Sequence, residues 1–185
     1  MRKILSFMLT TLDGYHEGPN HEIDWHNVDD EFNEFAIQQL DEIDTLVFGR
    51  VTYELMAGYW PTPAAKENDP AIAARMNSVP KIVVSRTLEQ VRWANARLVK
   101  DGVAETLSEI KRQTGKDIAI FGSSNLTAGV LRMGLVDELR IMVNPVVLGH
   151  GIPLFQTADR TSLKLLQTRS FASGNVLLYY RPAGR

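Results

Sequence analysis

The chain has 185 residues, 44% of them hydrophobic and 23% charged, which is enough apolar content to bury one full core. A formal charge of -2 with interspersed acids and bases offers no footprint for nucleic acid or an anionic membrane, and the absence of cysteine removes disulfides, thiol nucleophiles, zinc knuckles and iron-sulfur clusters together. No apolar run reaches the roughly 18 residues of a membrane span and the chain opens on strand-like residues instead of a signal peptide, so a soluble, unexported, cytoplasmic single domain over residues 1–185 is expected.

Ile4 to Leu9 reads as the first strand, followed by a long loop from Asp13 to Val28 rich in Gly, Asp, Asn and His. Asp29 and Asp30 can cap a helix over about Asp30 to Glu42, because Phe32, Phe35, Ala36, Leu40 and Ile43 recur at helical spacing. Thr45 to Phe48 is a second buried strand and Val51 to Ala57 a short helix, closed by Gly58-Tyr59-Trp60-Pro61. A polar segment then leads to a helix near Ala71 to Asn77 and the strand Lys81 to Ser85. A short strand near Arg97 to Val99 precedes an amphipathic helix with Val103, Leu107 and Ile110 on one face. Strand Asp117 to Phe121 follows, and the turn Gly122-Ser123-Ser124-Asn125 opens a helix that Gly134 closes. Leu139 to Val143 is a strand and Pro145 to Gly151 a loop. Leu163 to Arg169 and Asn175 to Arg181 form a terminal hairpin across Ser173-Gly174. This order predicts an α/β fold whose mostly parallel sheet has an antiparallel end.

Three of these strands end in polar turns, where ligands of open α/β sheets bind and helix N-termini favour anions. Gly49 follows one buried strand, so its missing side chain lets backbone approach a pyrophosphate, with Arg50 and Thr52 at the helix start beyond it. Ser85 and Arg86 end a second, and both a hydroxyl and a guanidinium suit phosphate oxygens. Gly122, Ser123, Ser124 and Asn125 end the third at a helix N-terminus. Together they point to a phosphorylated nucleotide along one sheet edge. A solvated tight turn, a salt-bridged surface turn and a serine cap explain the same letters without a ligand. Neither G-x-G-x-x-G nor G-x-x-x-x-G-K-[ST] is present. His16, His21 and His26 recur every five residues among Glu17, Glu22 and Asp24, a spacing that matches no zinc motif, so no metal is expected. The loop carrying them can instead cover a pocket, with Trp25, Tyr59 and Trp60 as apolar walls.

From Thr11-Leu12-Asp13-Gly14 through Phe48-Gly49-Arg50-Val51-Thr52-Tyr53, Val84-Ser85-Arg86 and Phe121-Gly122-Ser123-Ser124 to Leu135-Val136-Asp137-Glu138-Leu139 and Pro145-Val146-Val147-Leu148-Gly149, the order and spacing of motifs resembles the dihydrofolate reductase superfamily. Within it, the chain is similar to bacterial proteins related to the reductase domain of the riboflavin-pathway bifunctional enzyme. The resemblance implies a dihydrofolate reductase-like three-layer α/β/α sandwich, NADPH bound across the strand ends, a small-molecule substrate and a homodimer. It places Thr10, Leu12, Gly49, Arg50, Thr52, Ser85, Arg86, Gly122, Ser123, Ser124 and Asn125 against the cofactor, with Ser85 and Arg86 suited to the 2′-phosphate. Thr11 and Asp13 become the candidate catalytic residues, near Tyr15, although an aspartate at this place also stabilises its own turn, the reading favoured by the residues alone.

The chain departs from its relatives where they carry two or three glycines in the turn at Ser123-Ser124, and where riboflavin-pathway reductases place a glutamate at Phe121. No acid on the first helix can be matched to the one that engages the pterin ring in folate reductases. The primary reading is an NADPH-dependent reductase of a small heterocyclic or carbonyl-like substrate. The alternatives are 5-amino-6-(5-phosphoribosylamino)uracil reduction, a non-catalytic NADPH-binding dimeric module, or a groove closed by Ser123 and Ser124.

Overall fold

A strand covered on both faces reads as a continuous apolar run, and β1 (Ile4–Thr11) is one. In the computed structural model, which describes residues 1–183, β1 pairs in parallel with β6 (Asp117–Phe121) and with β7 (Glu138–Asn144). Gly184 and Arg185, the end of the expected domain, lie outside the described residues. Outward from β6 come β3 (Ile43–Gly49), β4 (Lys81–Val84) and β5 (Ala96–Val99), all parallel. Beyond β7, the hairpin of β10 (Val176–Pro182) and β9 (Leu163–Ser170) runs antiparallel. The eight-stranded order is therefore β5-β4-β3-β6-β1-β7-β10-β9.

Alternate residues of β1 feed two cores. Ile4 and Met8 join Leu107 of α5 (Val103–Arg112) and Val130 of α6 (Ser124–Arg132) on one face. On the other, Leu5 packs with Leu40 of α1 (Asp30–Asp41), Tyr53 of α2 (Arg50–Tyr59) and Met76 of α4 (Pro70–Ser78), while Phe7 packs with Phe35 of α1. The expected dihydrofolate reductase-like sandwich with its antiparallel end is what the chain adopts.

Several boundaries differ from expectation for local reasons. β1 continues past Leu9 through Thr10 and Thr11, because the ladder with β7 extends to the Thr11–Asn144 pair although the apolar run has stopped. The segment after Pro61 contains a short helix, α3 (Pro63–Asn68), started by Pro63 and capped when Thr62 Oγ1 accepts the Ala65 amide at 3.2 Å. The long loop after Asp13 is broken by β2 (Tyr15–Glu17), which pairs antiparallel with β8 (Ile152–Pro153) as a separate ribbon. Too few residues form this ribbon to leave an alternating pattern.

Candidate functional site

The carboxyl ends of β4, β3, β6 and β1 open on one side of the sheet. There the turns after β3 and β6 lock together. Ser123 Oγ accepts the Gly49 amide at 2.9 Å and lies 2.7 Å from Thr52 Oγ1. A Cβ on Gly49 would stand 2.9 Å from that same oxygen, and one on Gly122 would stand 3.1 Å from Thr52 Cγ2. The two glycines therefore let the turns approach each other, and the room beside Gly49 expected for a pyrophosphate is taken by Ser123 itself. Gly122 and Ser123 are both left-handed, at φ 62° and 58°, so the serine holds a conformation that glycine reaches without strain. Its hydroxyl does not cap α6; neither α6 nor α2 has a side-chain cap at its N-terminus. The first amides of both helices thus sit at one place with positive dipole ends, a cradle suited to an anion.

Two hollows flank this junction. The inner cavity, about 430 Å³, lies between β1, α1, α2 and α4, with Phe7, Phe32, Met56, Trp60, Met76 and Phe121 among its apolar walls. Thr52, Gly122 and Ser123 form its edge toward the helix N-termini. The outer groove, about 580 Å³, brings together Ser85 and Arg86 after β4, Lys100 after β5, and Asn125 of α6. Arg86 is exposed, whereas Ser85 is buried and its Oγ accepts the Thr87 and Leu88 amides at 3.2 and 3.1 Å, shaping the turn that presents the arginine. Ser124 is buried in the first turn of α6. Arg50 lines neither hollow and pairs with Glu54 along the exposed face of α2 at 2.9 Å, a contact of small energetic weight.

The first-strand residues lie elsewhere. Thr10 Oγ1 donates to the Tyr15 carbonyl at 3.1 Å; Thr11 Oγ1 donates to Asp13 Oδ1 at 2.6 Å and accepts the Tyr15 amide at 2.9 Å. Asp13 also accepts from the Leu148 and Gly149 amides at 3.2 and 2.7 Å. The Thr11 hydroxyl, followed by these amides, holds the Asp13 carboxyl below the usual range, so it stays ionised and clamps two loops together. Leu12 is exposed and bonds through its amide to Val146. Phe7, Met8 and Leu9 form the strand's contribution to the cavity in place of Thr10, Thr11 and Leu12.

The loop between β1 and α1 does border the cavity. His16, Glu17, Ile23 and His26 line it, as do Tyr59 and Trp60; Trp25 instead packs edge-on against His26 with ring centroids 4.4 Å apart. Among the described residues no group of His, Asp or Glu is arranged to hold a metal ion. Burial, reinforced by His16, pushes the His26 imidazole down to about 4, against a smaller opposing effect of Glu17. The folded pKa lies below the unfolded value of 6.5, so this neutral histidine contributes stability that is full above pH 6.5 and lost as pH falls through 4. His26→Phe is therefore expected to reduce the drop in thermal midpoint between pH 7 and pH 4.5, measured against the parent in matched buffers. An equal drop in both proteins would remove His26 from that account.

The sheet order and the site at the strand ends define a dihydrofolate reductase-like α/β protein. The RibD C-terminal domain model matches residues 2–179, and the chain belongs to that family. It is 36% identical over 182 residues to the uncharacterized protein YyaP of Bacillus subtilis (strain 168), covering 97% of this chain and 94% of that one. The fold is similar to that of a putative riboflavin biosynthesis protein from Shewanella sp. PV-4, with a TM-score of 0.74, 23% identity, and 97% and 98% of the two chains covered. It is also similar to dihydrofolate reductase from Enterococcus faecalis complexed with NADP(H), with a TM-score of 0.64, 16% identity, and 98% and 96% covered. No helix among the described residues is long and apolar enough to cross a membrane.

Proposed function

We propose that this protein is an NADPH-dependent reductase whose cofactor site follows the outer groove and the helix junction, and whose substrate occupies the inner cavity. The observation that carries the reading is the placing of the two hollows on either side of the first turn of α6, with Ser123 bordering one and Asn125 the other. Arg86 and Lys100 suit the 2′-phosphate, the uncapped N-termini of α2 and α6 suit the diphosphate, and the hydroxyls of Thr52 and Ser123 hold those N-termini in register. When bound, reduced nicotinamide supplies a hydride to an electrophilic carbon.

The protein's own residues prepare the place where that occurs. Phe7, Phe32 and Phe121 wall the cavity with apolar surface, which excludes water from a reactive pair. The β2–β8 ribbon carries His16 and Glu17 to the cavity rim, and the Asp13 clamp on Leu148 and Gly149 fixes the loop that leads into β8. Asp13 and Thr11 act in this reading as positioning residues. Exposed Leu163, Leu165 and Leu166 on edge strand β9 suit the homodimer that the family resemblance implies. Sedimentation equilibrium is expected to give twice the chain mass; a monomer at every concentration would remove the dimer.

The reductase reading is tested by incubating the protein with NADPH carrying deuterium at the transferable position and a panel of quinones, aromatic ketones and nitrogen heterocycles. Cofactor oxidation with the label recovered in the reduced product is the expected result. Bound NADPH that no panel member oxidises would contradict it and leave a binding module.

A further inference from the structure

Although the inner cavity is wide enough for a small aromatic molecule, its charge complement is one-sided. Among the described residues no lysine or arginine lines it, while two carboxylates, Glu17 and Asp69, do. Glu17 is already engaged by His16 and His21. Away from the edge at Thr52, Gly122 and Ser123, which the cofactor's diphosphate takes in the reading above, an anionic substrate would meet apolar walls and acids and find no cation to replace its hydration, a costly exchange.

We infer that the substrate of this site is an uncharged, unphosphorylated planar aromatic molecule. The inference rests on the reductase reading above and narrows its substrate class. It separates the protein from reduction of a phosphoribosylated pyrimidine, whose phosphate ester requires a cationic pocket. Aromatic faces at Phe32, Trp60 and Phe121 supply the stacking and edge contacts that such a ring prefers.

The test is direct binding, by calorimetry on cofactor-free protein, of 1-naphthol and of 1-naphthyl phosphate. Naphthol is expected to bind roughly tenfold or more tightly than its phosphate ester, a difference of about 1.4 kcal/mol. Leu55→Arg places the missing cation on an exposed cavity-lining position and is expected to narrow that preference. Equal or tighter binding of the phosphate by the parent protein, binding of neither probe, or a preference that Leu55→Arg leaves unaltered would overturn the inference. An NADPH titration of the same sample reports separately on the cofactor, so loss of the reductase reading and loss of the substrate class give different results.

Discussion

Replacing Arg86 with alanine is expected to weaken NADPH binding by roughly ten- to a hundredfold and to leave NADH binding within about twofold, because a charge-assisted hydrogen bond contributes about 1.5–3 kcal/mol. The guanidinium stands exposed at the end of β4, on a turn shaped by Ser85, and shares the groove with Lys100. Only the phosphorylated cofactor offers these cations a dianion, so the loss must be selective. The groove also contains Asp101 and Glu105, which oppose an anion once the arginine is gone. Paired calorimetric titrations measure the ratio. Equal losses for the two cofactors would remove Arg86 from the 2′-phosphate and relocate that end of the site.

The second large effect concerns Gly49. Its backbone, at φ -78°, accepts any L-residue, so Gly49→Ala acts through space alone. The new Cβ would stand 2.9 Å from Ser123 Oγ and force apart the turns that carry the two helix N-termini. Overpacking of this kind costs about 1–3 kcal/mol, which becomes roughly ten- to a hundredfold in cofactor affinity if the displaced turns can no longer converge on the ligand. Adding Ser123→Gly vacates that space and relieves the left-handed serine, so the double variant is expected to recover most of the lost affinity. A double variant as weak as Gly49→Ala would show that Ser123 serves the site through its hydroxyl and not through the room it fills.

The sheet was readable because β3, β4, β6 and β7 are short, mostly apolar runs closed by Gly, Ser or Asn; β6 begins and ends at the expected residues for that reason. The turns at Gly49, Ser85-Arg86 and Gly122-Asn125 were also readable, since turns that close buried strands leave their small and polar letters in sequence. What those letters could not show is geometry. Nothing in Gly-Ser-Ser reveals that Ser123 adopts φ 58° and turns its hydroxyl away from its own helix toward Gly49. Thr10 and Thr11 became candidates through the family resemblance alone, and nothing in their letters reveals that the β1–β2 turn engages both hydroxyls. The cavity walls come from β1, α1, α2, α4 and β6, separated along the chain, so no local pattern marks them before the sheet is assembled. The signal available was the loop with His16 and His26 directly after the first strand, which placed a cover there without identifying the histidine left unpaired.

The central claim, a nucleotide site that prefers the phosphorylated cofactor, is tested most directly by calorimetric titration of the folded, cofactor-free protein with NADPH and NADH in identical buffer and salt. The account predicts saturable NADPH binding at one site per chain, tighter than NADH and weakened by added salt as the 2′-phosphate contacts are screened. Failure of both cofactors to bind would contradict it, and would mean that Ser123 has closed the cradle between α2 and α6 to dinucleotides.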